Sequence, residues 1–210
     1  MAFNNLYILK HPLIQEKLTW LRDRNTKNPQ FRSLLNELAG LMVYEVTRGL
    51  PSIGCEIETP LEKTTGTILA RPITLVPILR AGLAMCDGIL RLIPQARVGH
   101  LGIYRDKVTL QPVEYYHKFP SDLADSEILL IDPMLATGGS AIAALSYVKS
   151  LGGKSITFVC LVAAPEGVRN IVKSHPDVPI YAAALDDHLN DHGYILPGLG
   201  DAGDRIYGTE

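Results

Sequence analysis

Cysteine is scarce in this sequence: Cys55, Cys86 and Cys160 are the only three in 210 residues. An odd, unpatterned set excludes the disulfide framework of a small secreted domain and points to a reducing cytoplasm. Cys160, inside "ITFVCLVAA", reads as a buried apolar thiol rather than a nucleophile. Long apolar runs are also missing. No stretch approaches the roughly 20 residues of a membrane helix, so no membrane partner is expected. "MAFNNLYILKHPLIQEK" lacks the basic start and apolar core of a signal peptide. Charge of one sign is not in excess. Twenty Lys and Arg face 22 Asp and Glu, a net charge of −2. Broad attraction to nucleic acid is therefore not expected, although a local basic pocket for a small anion remains open. Two familiar phosphate-binding patterns are absent too. G-x-x-x-x-G-K-[ST] fails because Ser140 follows Gly139, and G-x-G-x-x-G does not occur. Without repeats or low-complexity linkers, residues 1–210 read as one domain.

What is present is an alternation of helices and apolar strands. Residues 1–50 carry two helices as an N-terminal appendage. His11-Pro12 opens the first, with Ile14, Leu18 and Leu21 as its stripe. Asn28-Pro29 opens the second, with Phe31, Leu34, Leu35, Leu38, Leu41, Met42 and Val46 at helical spacing and Gly49 as the stop. From Ser52 onward the segments shorten. "IGCEIET", "PITLVPIL", "RVGHLGIYR", "SEILLID", "SITFVCLVAA" and "VPIYAAAL" read as strands. "RAGLAMCDGILRLI", "GGSAIAALSYVKSLGG" and "PEGVRNIVKSH" read as helices between them. Fully apolar strands alternating with helices predict an α/β fold with a parallel sheet covered on both faces. Asp106 to Asp125 interrupts this rhythm with a long, polar, Pro-broken segment, either a functional lid or a plain β-hairpin.

In such sheets ligands bind beyond the carboxyl ends of strands. Three strand ends are chemically unusual: Arg80 in "ILRAG", Arg105 in "IYRD", and "LLIDPMLATGGS". In the last, Thr137, Gly138, Gly139 and Ser140 lie between a strand and a helix. Glycines allow close backbone approach, and hydroxyls with free N–H groups at a helix start suit a phosphate. Asp132 cannot favour phosphate, but it can accept hydrogen bonds from sugar hydroxyls. An acid and a phosphate cradle a few residues apart suggest a sugar phosphate. Alone, the turn could equally be a capped helix start. "DDHLNDHG" offers His188 and His192 four apart, a metal spacing if the segment were helical, against the plainer reading of a solvated loop.

The turn resembles the phosphoribosyl diphosphate (PRPP) loop of type I phosphoribosyltransferases. "VPILRAGL", "GIYRD", "DPMLATGGSA", "CLVAAPEG" and "GYILPGLGDAGDR", with "FRSLLNELAGLMVYEVTR" and "IETPL", occur in the order and spacing of the uracil phosphoribosyltransferase family. The likeness covers nearly the whole chain. It implies a type I phosphoribosyltransferase core, with N-terminal helices and a protruding hairpin or lid over 106–125. It implies transfer of ribose 5-phosphate from PRPP to uracil in pyrimidine salvage, with Mg2+ carried mainly by PRPP and no metal site of the protein's own. The family's PRPP residues fall on Arg80, Arg105, Asp132, Pro133, Met134, Leu135, Ala136, Thr137, Gly138, Gly139, Ser140 and Asp201. Its uracil residues fall on Ile195, Gly200, Asp201 and Ala202, within a base-recognition segment at 186–210. Asp132, Asp201 and Arg105 are the expected catalytic set. Pro133 stands where many type I enzymes carry a second acid, and Asp201 is expected to take over part of its work. Ala84 and Tyr207 depart from a commoner glycine and phenylalanine. The family also implies a homodimer or larger assembly and, in some members, a GTP activator, which no motif here decides. Rival expectations are an RNA-binding regulator on the same fold and the same chemistry on another base.

Overall fold

The computed structural model describes residues 3–105 and 112–209, with the side chains of 103–105 and 112–114 outside the description. A short edge strand, β1 (Leu6–Ile8), precedes α1 (Pro12–Arg22) and α2 (Asn28–Val46). A hairpin follows, β2 (Ser52–Glu58) with β3 (Lys63–Leu69). The sheet core begins with β4 (Ile73–Pro77), then α3 (Leu83–Leu92), β5 (Arg97–Val98), β6 (His100–Arg105) and β7 (Pro112–Lys118). It continues through β8 (Glu127–Ile131), β9 (Met134–Leu135), α4 (Gly139–Ser150), β10 (Ser155–Ala163), α5 (Pro165–Ser174) and β11 (Ile180–Leu185). The chain closes with a small hairpin, β12 (His188–Leu189) and β13 (Ile195–Leu196), and α6 (Ala202–Tyr207).

The main sheet is parallel, in the order β1-β11-β10-β8-β4-β5, with β9 added to β10. Its centre is apolar on both faces because helices cover both. Along β8, Ile128 and Leu130 face α4 and α5, packing with Ala144, Leu145, Val148 and Ile171. Leu129 and Ile131 face the other way, into a core shared with Phe31, Leu38, Met85 and Ile206. That alternation is the period of two of a strand. Each fully buried Leu or Ile contributes roughly 1.5–3 kcal/mol relative to exposure, so the two layers fix the central strands firmly.

The sequence expectation of a doubly covered parallel sheet holds, with differences in detail. "RVGHLGIYR" is two strands rather than one: β5 joins the main sheet, and β6 leaves to pair antiparallel with β7. Gly99 is the break, where a Cβ would sit 2.5 Å from the Phe119 ring. The interrupting segment is the far strand of that hairpin from residue 112 on, and residues 106–111 lie outside the described residues. β1 and β3 carry no strong period-two signal, and they are strands because a partner edge is available. Among the described residues no helix is long and apolar enough to cross a membrane.

Candidate active site

The chain leaves β4 toward β5, then returns to β8 on the opposite side of β4 and continues outward to β10 and β11. Connections therefore diverge between β4 and β8. That divergence opens a crevice at the carboxyl ends of these two strands, where ligands bind in open α/β sheets. Arg80 follows the end of β4 and Asp132 the end of β8. The ladder runs on to the crevice edge: Ile78 donates to the Ile131 carbonyl at 2.9 Å, and Asp132 to Val159 at 3.1 Å. The chain then folds back tightly. A Cβ at Gly82 would meet the Ile131 carbonyl at 2.5 Å and the Ile78 main chain at 2.7 Å. Glycine is thus required in "RAGL" for α3 to start directly over the end of β8. The Leu79–Arg80 peptide is cis.

A cleft of about 270 Å³ occupies this point, with Asp132, Met134 and Ala136 on one wall and Tyr194, Ile195, Gly200, Asp201 and Ala202 on the other. A larger hollow of about 410 Å³ runs along the β2–β3 hairpin, but it is walled by hairpin side chains such as Glu56 and Lys63 and contains none of the strand-end groups. Asp132 is half-buried and lines the cleft. Loss of surrounding water pushes its carboxyl up to about 7, and a hydrogen bond from the Met134 N–H pulls the other way. Among the described residues no cation sits close enough to reverse the effect of burial.

The turn after Asp132 is built by its neighbours. The Pro133 carbonyl accepts from Leu161 and Val162, and Pro133 and Leu135 are themselves buried. Asn170 donates to the Thr137 carbonyl at 2.9 Å. Gly138 takes φ 84°, and its missing Cβ would lie 3.1 Å from the Gly167 carbonyl. Gly167 in turn would press a Cβ to 2.4 Å from the Ala136 carbonyl. The two glycines let the first turn of α5 brace the loop. Thr137, Gly139 and Ser140 remain exposed at the start of α4. The N–H groups of that first turn have no partner inside the helix and carry the positive end of its dipole.

The opposite wall is anchored by residues that the sequence reading missed. Arg22 holds Asp186 with two hydrogen bonds, 2.7 and 2.6 Å, and reaches the Gly198 carbonyl at 2.6 Å. Asp186 also accepts from the Gly198 N–H at 2.8 Å. Arg205 donates to the carbonyls of Leu21 and Leu199, both at 2.8 Å, and lies over the Phe31 ring at 4.3 Å. Asp201 caps α6, accepting from the Asp204 N–H at 3.0 Å. Arg205 could have been singled out as a charge inside an otherwise Gly-rich run. Arg22 and Asp186, 164 positions apart, carried no local signal.

A model of the family described as uracil phosphoribosyltransferase matches residues 8–209. The uracil phosphoribosyltransferase of Geobacillus kaustophilus (strain HTA426) is 58% identical over 206 residues, 98% of this chain and 99% of that protein. That of Bacillus thuringiensis (strain Al Hakam) is 57% identical over the same shares. The chain belongs to the uracil phosphoribosyltransferase family. A solved protein of Aquifex aeolicus, 38% identical, superposes with a TM-score of 0.92 over 98% of this chain and 99% of that one. Giardia lamblia APRTase, at 16% identity and a TM-score of 0.51 over 74% of this chain and 81% of that one, shares the fold.

The uracil phosphoribosyltransferase residues expected from the sequence meet at the cleft to differing extents. Asp132, Met134, Ala136, Ile195, Gly200, Asp201 and Ala202 line it. Thr137, Gly138, Gly139 and Ser140 form the turn beside it, while Pro133 and Leu135 offer only main chain. Arg80 lies at the rim, its side chain 63% exposed and 3.9 Å from Asp204. Arg105 ends β6, and its side chain lies outside the described residues. His188 and His192 are not on a helix: β12 holds the first and the turn to β13 the second. No group of three or more His, Cys, Asp or Glu among the described residues could hold a metal.

Proposed function

We propose that this chain transfers the 5-phosphoribosyl group of PRPP to N1 of uracil, as its family membership implies, with the residue roles given below. The C1–O bond to diphosphate breaks with its electron pair, the C1–N1 bond forms, and the N1 proton is released. The observation that carries the reading is one cleft joining Asp132, Met134 and Ala136, which lead into the phosphate-type turn, to the Ile195 and Gly200–Ala202 wall.

Asp132 accepts hydrogen bonds from the ribose hydroxyls. The main-chain N–H groups of Met134 to Ser140, with the Thr137 and Ser140 hydroxyls, hold the 5-phosphate, favoured by the α4 dipole. Arg80 and Arg105 bring fixed positive charge to the diphosphate. Charge grows on that leaving group as C1 becomes oxocarbenium-like, so cations placed there stabilise the transition state more than the ground state. Asp201 faces the same cleft, positioned to orient the ribose or to favour loss of the N1 proton. Asp132 and Asp201 both line the cleft, and their carboxylates would be the protein's hard oxygen ligands for a Mg2+ ion that arrives on PRPP with most of its ligands from substrate and water; when bound, it would neutralise charge on the leaving group.

The Ile195 and Gly200–Ala202 main chain presents N–H and C=O groups to the uracil edge. Cytosine places a donor where uracil places an acceptor, leaving a buried group unpaired, a mismatch rejected by factors on the order of 10⁴. Residues 186–210 thus serve as the base-recognition segment of a single 1–210 domain. Self-association into a homodimer or larger assembly belongs to the same reading. It is supported by the β2–β3 hairpin, a two-stranded sheet that exposes Ile53, Ile57, Leu61 and Ile68.

The test is to mix the protein with PRPP, Mg2+ and each free base and follow nucleotide formation. Uridine monophosphate from uracil is expected, with cytosine and purines inert. Folded protein that yields no product from uracil overturns the reading.

A further inference from the structure

Tyr207 is the last residue of α6 and lines no part of the cleft. It is 42% exposed, so packing alone does not account for its contacts. Its hydroxyl donates to the Arg80 carbonyl at 3.0 Å, across 127 positions of sequence. Its ring lies 5.6 Å from the Arg80 guanidinium carbon. One turn earlier, Asp204 stands 3.9 Å from Arg80 Nη2. Arg80 is therefore held at both ends by a single helix, its main chain through the tyrosine hydroxyl and its guanidinium by the ring and the carboxylate. An arginine at a strand end, 63% exposed, would otherwise sample many rotamers, and clamping an anion would cost that freedom.

We propose that Tyr207 is a positioning residue for the diphosphate end of PRPP, acting through Arg80. The inference rests on the reading of Arg80 as a diphosphate ligand. The ring offers the guanidinium an aromatic face beside the cleft. The hydroxyl fixes the backbone from which that side chain springs. The base wall does not depend on Tyr207: Asp201 is tied to the Asp204 N–H, and Leu199 to Arg205. Tyr207 should therefore affect one substrate and not the other.

Steady-state kinetics on the full chain test this, with the two KM values measured separately. Tyr207→Leu removes ring and hydroxyl and should raise the KM for PRPP about tenfold, leaving the KM for uracil and the melting temperature unchanged. Tyr207→Phe keeps the ring and should recover all but about a twofold effect. Arg80→Ala should cost more, and adding Tyr207→Leu to it should cost little further, because the ring then has nothing to hold. A normal KM for PRPP in Tyr207→Leu, with Arg80→Ala impaired, overturns the proposal and leaves the Arg80 reading intact. Both KM values and the melting temperature moving together make Tyr207 merely structural and also overturn it. A normal KM for PRPP in Arg80→Ala removes the Arg80 reading and the proposal with it.

Discussion

Asp132 holds its proton where an aspartate in water has lost it. The unfolded chain releases this proton near pH 3.8, and the folded chain near pH 7. The folded state thus binds the proton more tightly, and stability falls as pH rises through this window. Well below pH 3.8 both states are protonated and no penalty exists; above about pH 7 it is complete. Asparagine carries no charge in either state. Asp132→Asn should match the parent in melting temperature near pH 3 and exceed it above pH 7, by on the order of 4 kcal/mol. Thermal melts across pH 4–8 that show no widening gap would contradict the burial. Activity should move the opposite way. Sugar hydroxyls donate best to an ionised carboxylate, so the penalty for Asp132→Asn in PRPP affinity should grow from pH 6 to 8. Residues like this one are legible in part. An acid closing an apolar strand is visible in "ILLID", but its altered affinity for a proton depends on the walls of the crevice.

At the scale of elements, the long buried pieces were readable and the short ones were not. The stripe of α2 and the apolar runs of β4, β8 and β10 signal themselves because each buries a full face or both faces. β9, β12 and β13 are two residues each and have no period to read; pairing with an existing neighbour makes them strands. The 195–205 segment shows what such an element needs. It turns through a cis Leu196–Pro197 bond and positive φ at Gly198 and Gly200, and it is fastened by Asp186 and Arg205. Asp186 is 7% exposed and satisfies both Arg22 and the Gly198 N–H. Asp186→Ala leaves those donors unmatched and should lower stability by about 3 kcal/mol in denaturant melts. If the freed segment is the base wall, as proposed above, the KM for uracil should rise about tenfold or more, with a smaller change for PRPP. Equal changes in both constants would argue against a dedicated base wall.

At the scale of the whole molecule, two helical layers on one parallel sheet leave the crevice at the divergence of β4 and β8 as the natural binding place. They leave the β2–β3 hairpin without a layer of its own. An isolated two-stranded hairpin is marginal in water, and exposed Ile53, Ile57 and Ile68 on it are an apolar surface in search of cover. Sedimentation should therefore give a mass of at least two 23.0 kDa chains, and Ile57→Glu with Ile68→Glu should shift it toward one. A monomer for the parent chain at micromolar concentration would refute the assembly. By itself the sequence determined the family, the α/β class and the strand–acid–turn at Asp132 to Ser140, because all of these are written in contiguous residues whose spacing is local. The tertiary structure alone decided the clasp of Arg80 by Tyr207, the fastening of the Gly198 turn by Arg22 and Asp186, and the raised proton affinity of Asp132. Each of those joins or encloses groups far apart in the chain, and no local pattern encodes which distant group will arrive.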